Sequence, residues 1–308
     1  MQGTVPVIVL RKMKHIFFLA GLALLASNCT NDINVEEDNS DELAPVTVRV
    51  NSFSVSQEEF SGTRAIEDLS SYTGTKVITL AFYSADGTEV YKATQLKDDA
   101  TTYTTYGTFN LSLPIGNYTM VVLGYGYFEG DVLNLTSPTA AAYTTGHVRE
   151  TFTATQEVNI TNCDAVNLTA TLDRVIAKVQ VVSTDNRTAN VANIRMTFSG
   201  GGKDFNPTTG FALTNTGLVN TVEGNGNTGK ITTATSYLFL ATDEQTVDVT
   251  IETLDADGAV LFSKTVQNVS LRRNRLTKLT GAMYTNAGAS ASSFTLNTDW
   301  LDGNEIAF

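Results

Sequence analysis

One cysteine near the start of the chain has the surroundings of a thiol that is modified during export. Cys29 follows a short basic start at residues 13–14 and an apolar run of about ten residues, 16–25. The run is too short for a helix that crosses a bilayer, which needs about 20 residues, but it fits a secretory signal. In a bacterial lipoprotein signal the cysteine thiol receives a diacylglycerol before cleavage. We therefore predict that residues 1–28 are a lipoprotein signal peptide and that Cys29 is acylated.

A second interpretation of this segment stays open. Small residues are usual just before such a cysteine, whereas Asn28 stands at that position here. An ordinary secretory signal cut nearby would leave Cys29 as a free thiol.

The charge balance excludes some classes of partner. Removing residues 1–28 takes away Arg11, Lys12 and Lys14 and no acidic residue, which leaves 17 basic against 32 acidic residues and a net charge of −15. A surface of this sign repels nucleic acid and gains nothing from an anionic membrane. After Cys29 no segment is long and apolar enough to cross a bilayer. The lipid is then the expected membrane contact.

Few residues remain that could carry catalysis or hold a metal. Cys163 is the other cysteine, so no disulfide within the chain is available once Cys29 is acylated. His147 is the one histidine after the signal, which argues against a His/Cys metal cluster and leaves a nucleophilic triad resting on a single residue. We predict that the chain is not an enzyme and has no catalytic residue, cofactor or metal.

Two weaker signals have competing interpretations. Asp255 and Asp257 resemble the start of a calcium loop, but the remaining ligands are missing and a hairpin turn is the simpler reading. Six tyrosines could form an aromatic platform for a glycan, or could pack within strands and loops: Tyr72, Tyr103, Tyr106, Tyr125, Tyr127 and Tyr143.

The region after the cysteine changes from a tether to a strand. Residues 29–45 are acidic and almost without apolar side chains, as expected of a solvated tether. Period-two alternation then predicts a strand whose apolar face is formed by Val46, Val48, Val50, Phe53 and Val55. Residues 57–68 are polar and predict an exposed loop.

Strand patterns with Gly and Asn turns continue to the end of the chain, without a convincing helix. Examples are residues 76–84 and 89–96, which are joined by Asp86-Gly87, a strong hairpin signal. Residues 129–147 read as a loop, and so do residues 203–230, with a short strand possible at 210–213. The sequence Leu-Pro-Ile-Gly-Asn-Tyr at 113–118 is typical of the entry into a core strand of transthyretin-like sandwiches. We predict an all-β fold of two tandem transthyretin-like β-sandwich domains, residues 46–163 and 164–308.

Several of these segments, taken in order, resemble the fimbrillins, the subunits of type V pili of outer-membrane anaerobes. The resemblance spans nearly the whole chain after the signal. It rests on the following segments: Cys29 with its signal, the strand at 46–55, Thr63-Arg64-Ala65, and residues 113–118, 172–179 and 271–281.

The resemblance implies a route of assembly. Fimbrillins reach the outer-membrane surface as lipoproteins, and an Arg-specific protease cuts after the arginine that follows the first strand, here between Arg64 and Ala65. Loss of that strand opens an apolar groove, which a strand from the C-terminal tail of a neighbouring subunit fills. In this chain the donated strand would include Phe294, Leu296 and Trp300. Thr298 interrupts their apolar alternation. The subunit could therefore belong to the stalk, the tip or the anchor of the pilus.

One alternative comes from another class of protein. A surface glycan-binding lipoprotein of a polysaccharide-uptake system would keep its first strand and use its tyrosines as a platform. Arg64 would then be an ordinary loop arginine. Clean cleavage after Arg64 followed by oligomers would favour the pilus subunit.

Overall fold

A computed structural model describes residues 42–56, 64–69, 72–99, 105–223, 228–284 and 295–297 of the 308. The chain divides into the units Met1–Glu37 and Asp38–Phe308, and all described residues belong to the second unit. These residues form strands, turns and loops without a helix, which confirms the predicted all-β class. Over the same residues, no helix is present that is long and apolar enough to span a membrane.

The described residues form nineteen strands. They are β1 (Leu43–Ser56), β2 (Arg64–Asp68), β3 (Val77–Ser84), β4 (Glu89–Leu96), β5 (Thr108–Pro114), β6 (Gly116–Tyr125), β7 (Leu133–Ser137), β8 (Ala140–Tyr143), β9 (Thr151–Ile160), β10 (Val166–Arg174), β11 (Ala177–Ser183), β12 (Asn193–Phe198), β13 (Asp204–Phe205), β14 (Leu218–Glu223), β15 (Thr233–Leu238), β16 (Glu244–Leu254), β17 (Val260–Arg272), β18 (Leu276–Gly281) and β19 (Thr295–Asn297).

The first half is one sheet folded into two facing layers. Its strand order is β2-β1-β10-β9-β6-β3-β4, and β5 also pairs with β1. The joint between β10 and β9 is short, because only Asp173 and Arg174 pair with Thr153 and Phe152. The sheet turns at this joint. Apolar residues of β1, β5 and β10 on one side and of β3, β6 and β9 on the other then form a shared core.

The second half repeats this arrangement with two separate sheets. Their orders are β15-β11-β18-β19 and β14-β12-β16-β17. In the first half β1 is antiparallel to β5 and parallel to β10. In the second half β11 is antiparallel to β15 and parallel to β18. Each half therefore opens with a strand that lies beside its last sandwich strand, and the two halves share one topology.

The change from the first sheet to the next falls later in the chain than expected. Residues 166–172 were expected in the second domain, but β10 pairs with β1 and β9 of the first sheet. The sheets change between Arg174 and Ala177. The reason is that β10 is the closing strand of the first sandwich, which the sequence does not reveal. The division into two domains stays a prediction.

Strand β3 is buried on both faces. Ile78, Leu80 and Phe82 belong to the core between the two layers of the first sheet, whereas Ala81 and Tyr83 belong to a second core. That second core also contains residues of the second half and of the hairpin formed by β7 and β8. The apolar run of β3 follows from burial on both sides. The prediction of a plain loop over 129–147 was wrong, because β7 and β8 cover this face.

Candidate functional site

The inner face of β1 is buried as its alternation predicts. Val46, Val48, Val50 and Phe53 are each at most 4% exposed and belong to the core of the first half. The backbone of Val55 continues the strand, while its side chain is outside the described part. Four of the five side chains expected on this face thus lie in the core.

Both edges of β1 are hydrogen-bonded to other strands. On one edge β5 pairs with its first half and β2 with its second half. On the other edge β10 runs parallel to it from Val46 to Ser54. A register shift between Val50 and Ser52 interrupts this ladder, and the backbone N–H of Val50 donates to the carbonyl of Gly107 at 2.9 Å. Taking β1 away would therefore leave two open strand edges along an apolar groove.

Phe53 is the centre of an aromatic cluster at the C-terminal end of β1. Its ring centroid lies 5.2 Å from that of Tyr72 and 4.8 Å from that of Phe152. A Cβ atom on Gly124 would lie 3.0 Å from both Phe53 and Leu172, so the backbone of β6 closes directly over the ring. Sequence reasoning missed these neighbours. The glycine inside an otherwise apolar strand was the available signal, since it indicates a close approach.

The expected processing site lies partly in a strand. Residues 57–63 are outside the described part, but Arg64 and Ala65 belong to β2 and pair with Ser56 and Val55. The prediction of a loop over 57–68 was wrong for residues 64–68, which form β2. Strand β2 is antiparallel to β1, and this pairing satisfies backbone groups that a loop would leave to water.

The C-terminal tail touches the second half through a short strand. Strand β19 is antiparallel to β18, and Leu296 lies opposite Leu279. Phe294 and Trp300 lie outside the described residues. The structure therefore places the expected displaced strand in the first sheet and part of the expected donor on the second half, and does not bring them together.

One of the two cysteines lies among the described residues. Cys29 lies outside the described residues, so its acylation stays a prediction. Cys163 follows β9, and its thiol Sγ lies 3.3 Å from Oε2 of Glu42, just before β1. The start of β1 is thereby held close to the turn between β9 and β10.

The tyrosines do not assemble a platform among the described residues. Tyr125 and Tyr143 are buried, Tyr72 and Tyr106 are half-buried, and Tyr127 is exposed, while Tyr103 is not described. Burial raises the pKa of Tyr143, whose hydroxyl lies 2.8 Å from that of Thr151. Most of these rings serve packing.

No group of three or more potential metal ligands occurs in the parts of the chain that the structure describes. His147 lies beside a buried carboxylate instead, with its Nδ1 3.7 Å from Asp131. Asp131 accepts hydrogen bonds from Arg149 Nε at 2.9 Å and from Thr145 Oγ1 at 2.6 Å. This cluster fastens the start of β7 to the segment before β9. Asp255 likewise accepts from the backbone N–H groups of Asp257 and Ala259, as the hairpin interpretation expects.

Comparison with known proteins gives one family and a set of solved structures. The family profile described as "Family of unknown function (DUF6562)" matches residues 41–304. No curated protein matches the chain.

The solved structures resemble this chain over most of its length but share little sequence. One structure is that of a protein from Bacteroides ovatus which, like the next protein, is described as putative, in its case as an adhesin. It is 11% identical to this chain, with a TM-score of 0.50, and the match covers 83% of this chain and 94% of the Bacteroides ovatus chain. A polysaccharide-binding protein from Bacteroides thetaiotaomicron is 9% identical, with a TM-score of 0.46 over 82% and 96%. The fimbrial anchor protein Mfa2 from Porphyromonas gingivalis is 15% identical, with a TM-score of 0.43 over 83% and 97%. At these identities the likeness to the Bacteroides ovatus protein shows a shared fold.

Proposed function

Since this chain belongs to the DUF6562 family, whose function is unknown, we propose its role from its own structure, as a structural subunit of a cell-surface pilus. In this proposal the subunit is exported as a lipoprotein, cut after Arg64 and polymerised by donor-strand exchange in support of adhesion. It performs no catalysis. The observation that carries the proposal is β1, a buried strand with two paired edges that a single cut would separate from the rest of the chain.

The burial of β1 sets the free energy that exchange must replace. Each fully buried Val or Phe contributes about 1.5–3 kcal/mol by area. The four described side chains of its inner face therefore contribute roughly 6–12 kcal/mol, an upper bound because the unfolded chain already buries part of its surface. A groove of this kind would stay closed until an incoming strand recovers a comparable amount.

Cleavage alone would not empty the groove. A cut between Arg64 and Ala65 leaves β1 with its hydrogen bonds to β5 and β10. The pairing of β2 with β1 would also have to open, because a protease binds its substrate as an extended single strand. We therefore place the cut before displacement and expect displacement to be the slower step.

The proposed donor is the C-terminal tail of another subunit, either a copy of this chain or a related one. Its apolar candidates are Phe294, Leu296 and Trp300. Strand β19 supports the idea that this tail takes a paired, extended conformation. An open sheet edge beside an apolar groove is a strong site for such a strand.

Proteolysis of the purified chain tests the proposal. An Arg-specific protease should make one early cut after Arg64, and oligomers should follow over time. Arg64→Ala should block the cut and leave monomers. Arg195→Ala is the matched control, because Arg195 lies in the second half, in a partly buried ion pair with Glu252. Mass spectrometry of the fragments and size-exclusion chromatography give both readouts.

Truncation separates the two roles of a subunit. A chain that lacks residues 293–308 should still be cut and still accept a strand, but should not donate one. Normal fibres from Arg64→Ala protein, or elongation by the truncated chain, would contradict donor-strand exchange.

The location of the precursor rests on Cys29. We propose that it is held on the outer membrane by an acyl chain on this residue. Cys29→Ala should leave an unprocessed or mislocalised protein, and normal fractionation of that variant with the outer membrane would contradict the anchor.

A second candidate is a tip or anchor subunit that accepts a strand without donating one. The pairing of β19 with β18 of its own chain favours it, because a tail that covers its own sheet is less free to leave. Mixing experiments distinguish the two: a stalk subunit alone should form long oligomers, whereas a tip or anchor subunit should stop at short complexes.

A further inference from the structure

A polar cleft lies where the first sheet divides between β9 and β10. It has a volume of about 680 Å³, within the range of small-molecule sites. One wall consists of residues 153–155 of β9 and of Thr171, Asp173 and Arg174 of β10. The other wall comes from the second half, with the loop 207–210 and the turn 272–275 between β17 and β18.

The cleft gathers several arginines in an acidic protein. Four of the 20 basic side chains in the sequence line it, Arg174, Arg272, Arg273 and Arg275, against two aspartates. The chain as a whole carries −12. Guanidinium groups bind carboxylates through two parallel hydrogen bonds, which makes such a group of arginines selective for planar anions.

The arginines are held in place by surrounding contacts. Arg174 forms an ion pair with Glu150 at 2.8 Å and its Nη1 donates to Asn274 at 3.1 Å. Its guanidinium lies over the ring of Phe152, 5.1 Å from the centroid. Its Nε is buried without a hydrogen-bond acceptor among the described residues. A donor fixed by neighbours binds an incoming acceptor with little loss of side-chain entropy.

The opposite wall is equally fixed. Arg273 forms an ion pair with Asp243 at 2.7 Å and donates to the carbonyl of Thr209 at 2.8 Å. Gly210 has a positive φ of 75°, and a Cβ there would lie 2.7 Å from Arg273, so the loop closes tightly on the guanidinium. Arg272 pairs with Glu244 at the rim. The two walls are therefore preorganised.

The lining residues other than the arginines favour an anion that carries hydroxyl groups. Five threonines line the cleft, and a hydroxyl group can both donate and accept a hydrogen bond, as sugar hydroxyls do: Thr153, Thr155, Thr171, Thr208 and Thr209. Its apolar lining is limited to Ala154, Val175 and Pro207. Peptide recognition uses apolar pockets for side chains, of which this lining has few.

We propose that this cleft binds an acidic oligosaccharide through the carboxylates of its uronate residues. The carboxylates contact the arginines, and the sugar hydroxyls contact the threonines. This adds a ligand site to the proposed pilus subunit and does not depend on cleavage or strand exchange.

Isothermal titration calorimetry on the full chain tests this with a short oligogalacturonate and its methyl ester, which has the same sugars but no charge. The acid should bind saturably and the ester at least tenfold more weakly. Arg272→Gln and Arg275→Gln should each weaken binding of the acid about tenfold, a loss of about 1.4 kcal/mol. Arg195→Gln, outside the cleft, is the matched control and should bind as the unchanged protein does.

Several results would overturn the proposal. These are absence of saturable binding, equal binding of acid and ester, or equal weakening by Arg195→Gln, which would indicate unspecific attraction. An acidic peptide of equal charge that binds as tightly would overturn the assignment to a glycan. The acid and ester comparison uses unaltered protein and so stands whether or not the variants fold.

Discussion

Phe53 should decide how firmly the first strand stays in its groove after the chain is cut. The ring is fully buried and lies within 5.2 Å of the Tyr72 and Phe152 rings, centroid to centroid. Replacing a buried Phe by Ala costs about 3–5 kcal/mol, because apolar contacts are lost and a cavity remains. Since β1 is held by non-covalent contacts once the chain is cut between Arg64 and Ala65, this loss appears directly in the affinity of the N-terminal fragment.

The expected change is large. At about 1.4 kcal/mol per factor of ten, Phe53→Ala should raise the dissociation constant of the N-terminal fragment by about a hundredfold to several thousandfold. A split chain made of residues 1–64 and 65–308 provides the complex without a protease. Dissociation of a fluorescently labelled N-terminal fragment can then be followed by anisotropy after dilution.

Phe128→Ala is the matched control, since this phenylalanine is 56% exposed and outside the groove. It should leave the dissociation constant unchanged within a factor of about three, because surface substitutions usually change stability by no more than about 0.5 kcal/mol. A change below tenfold for Phe53→Ala, or an equal change for Phe128→Ala, would refute the view that this buried face holds β1.

Three further outcomes follow from the described contacts. Gly124→Val should destabilise the protein by about 1–3 kcal/mol in urea unfolding, because its Cβ has no room above β1. Asp131→Asn should cost about 2 kcal/mol, measured the same way, because it weakens a buried charge-assisted bond to Arg149. Burial raises the pKa of Tyr83 to about 12, so its contribution to stability is complete below pH 10 and is lost as the pH rises towards 12. Tyr83→Phe should reduce this alkaline loss of stability and change the stability at pH 7 little, because the buried Tyr83 hydroxyl has no hydrogen-bond partner among the described residues. Tyr143→Phe should destabilise the fold at pH 7, because the Tyr143 hydroxyl is hydrogen-bonded to that of Thr151.

Local patterns in the sequence were enough for the fold class and for the inner face of β1. The alternation of Val46, Val48 and Val50 reports directly on burial, because a strand exposes its two faces in turn. The Asp86-Gly87 turn was equally clear, and β3 and β4 pair across it. Such signals depend on neighbours in sequence, so they can be interpreted without knowledge of the tertiary structure.

Long-range pairing could not be derived in the same way. The sequence of residues 166–174 does not indicate that this strand lies beside β1 and not in the next sheet. The two strands are parallel partners more than a hundred residues apart, and such pairing produces no local sequence pattern. The arginine cleft was missed for the same reason. Arg174 and Arg272–Arg275 are far apart in sequence and meet only because the two halves pack together.

The shared topology of the two halves bears on how many subunits one copy can join. The strand that corresponds to β1 in the second half is β11, which follows β10 after only Val175 and Ile176. It is tied to the chain at both ends, so a single cut there would detach nothing. In the first half no described strand precedes β1, so a cut after Arg64 would separate β1 from every other strand but β2. Under strand exchange each copy would then offer one acceptor and at most one tail, and growth would be linear, polar and unbranched.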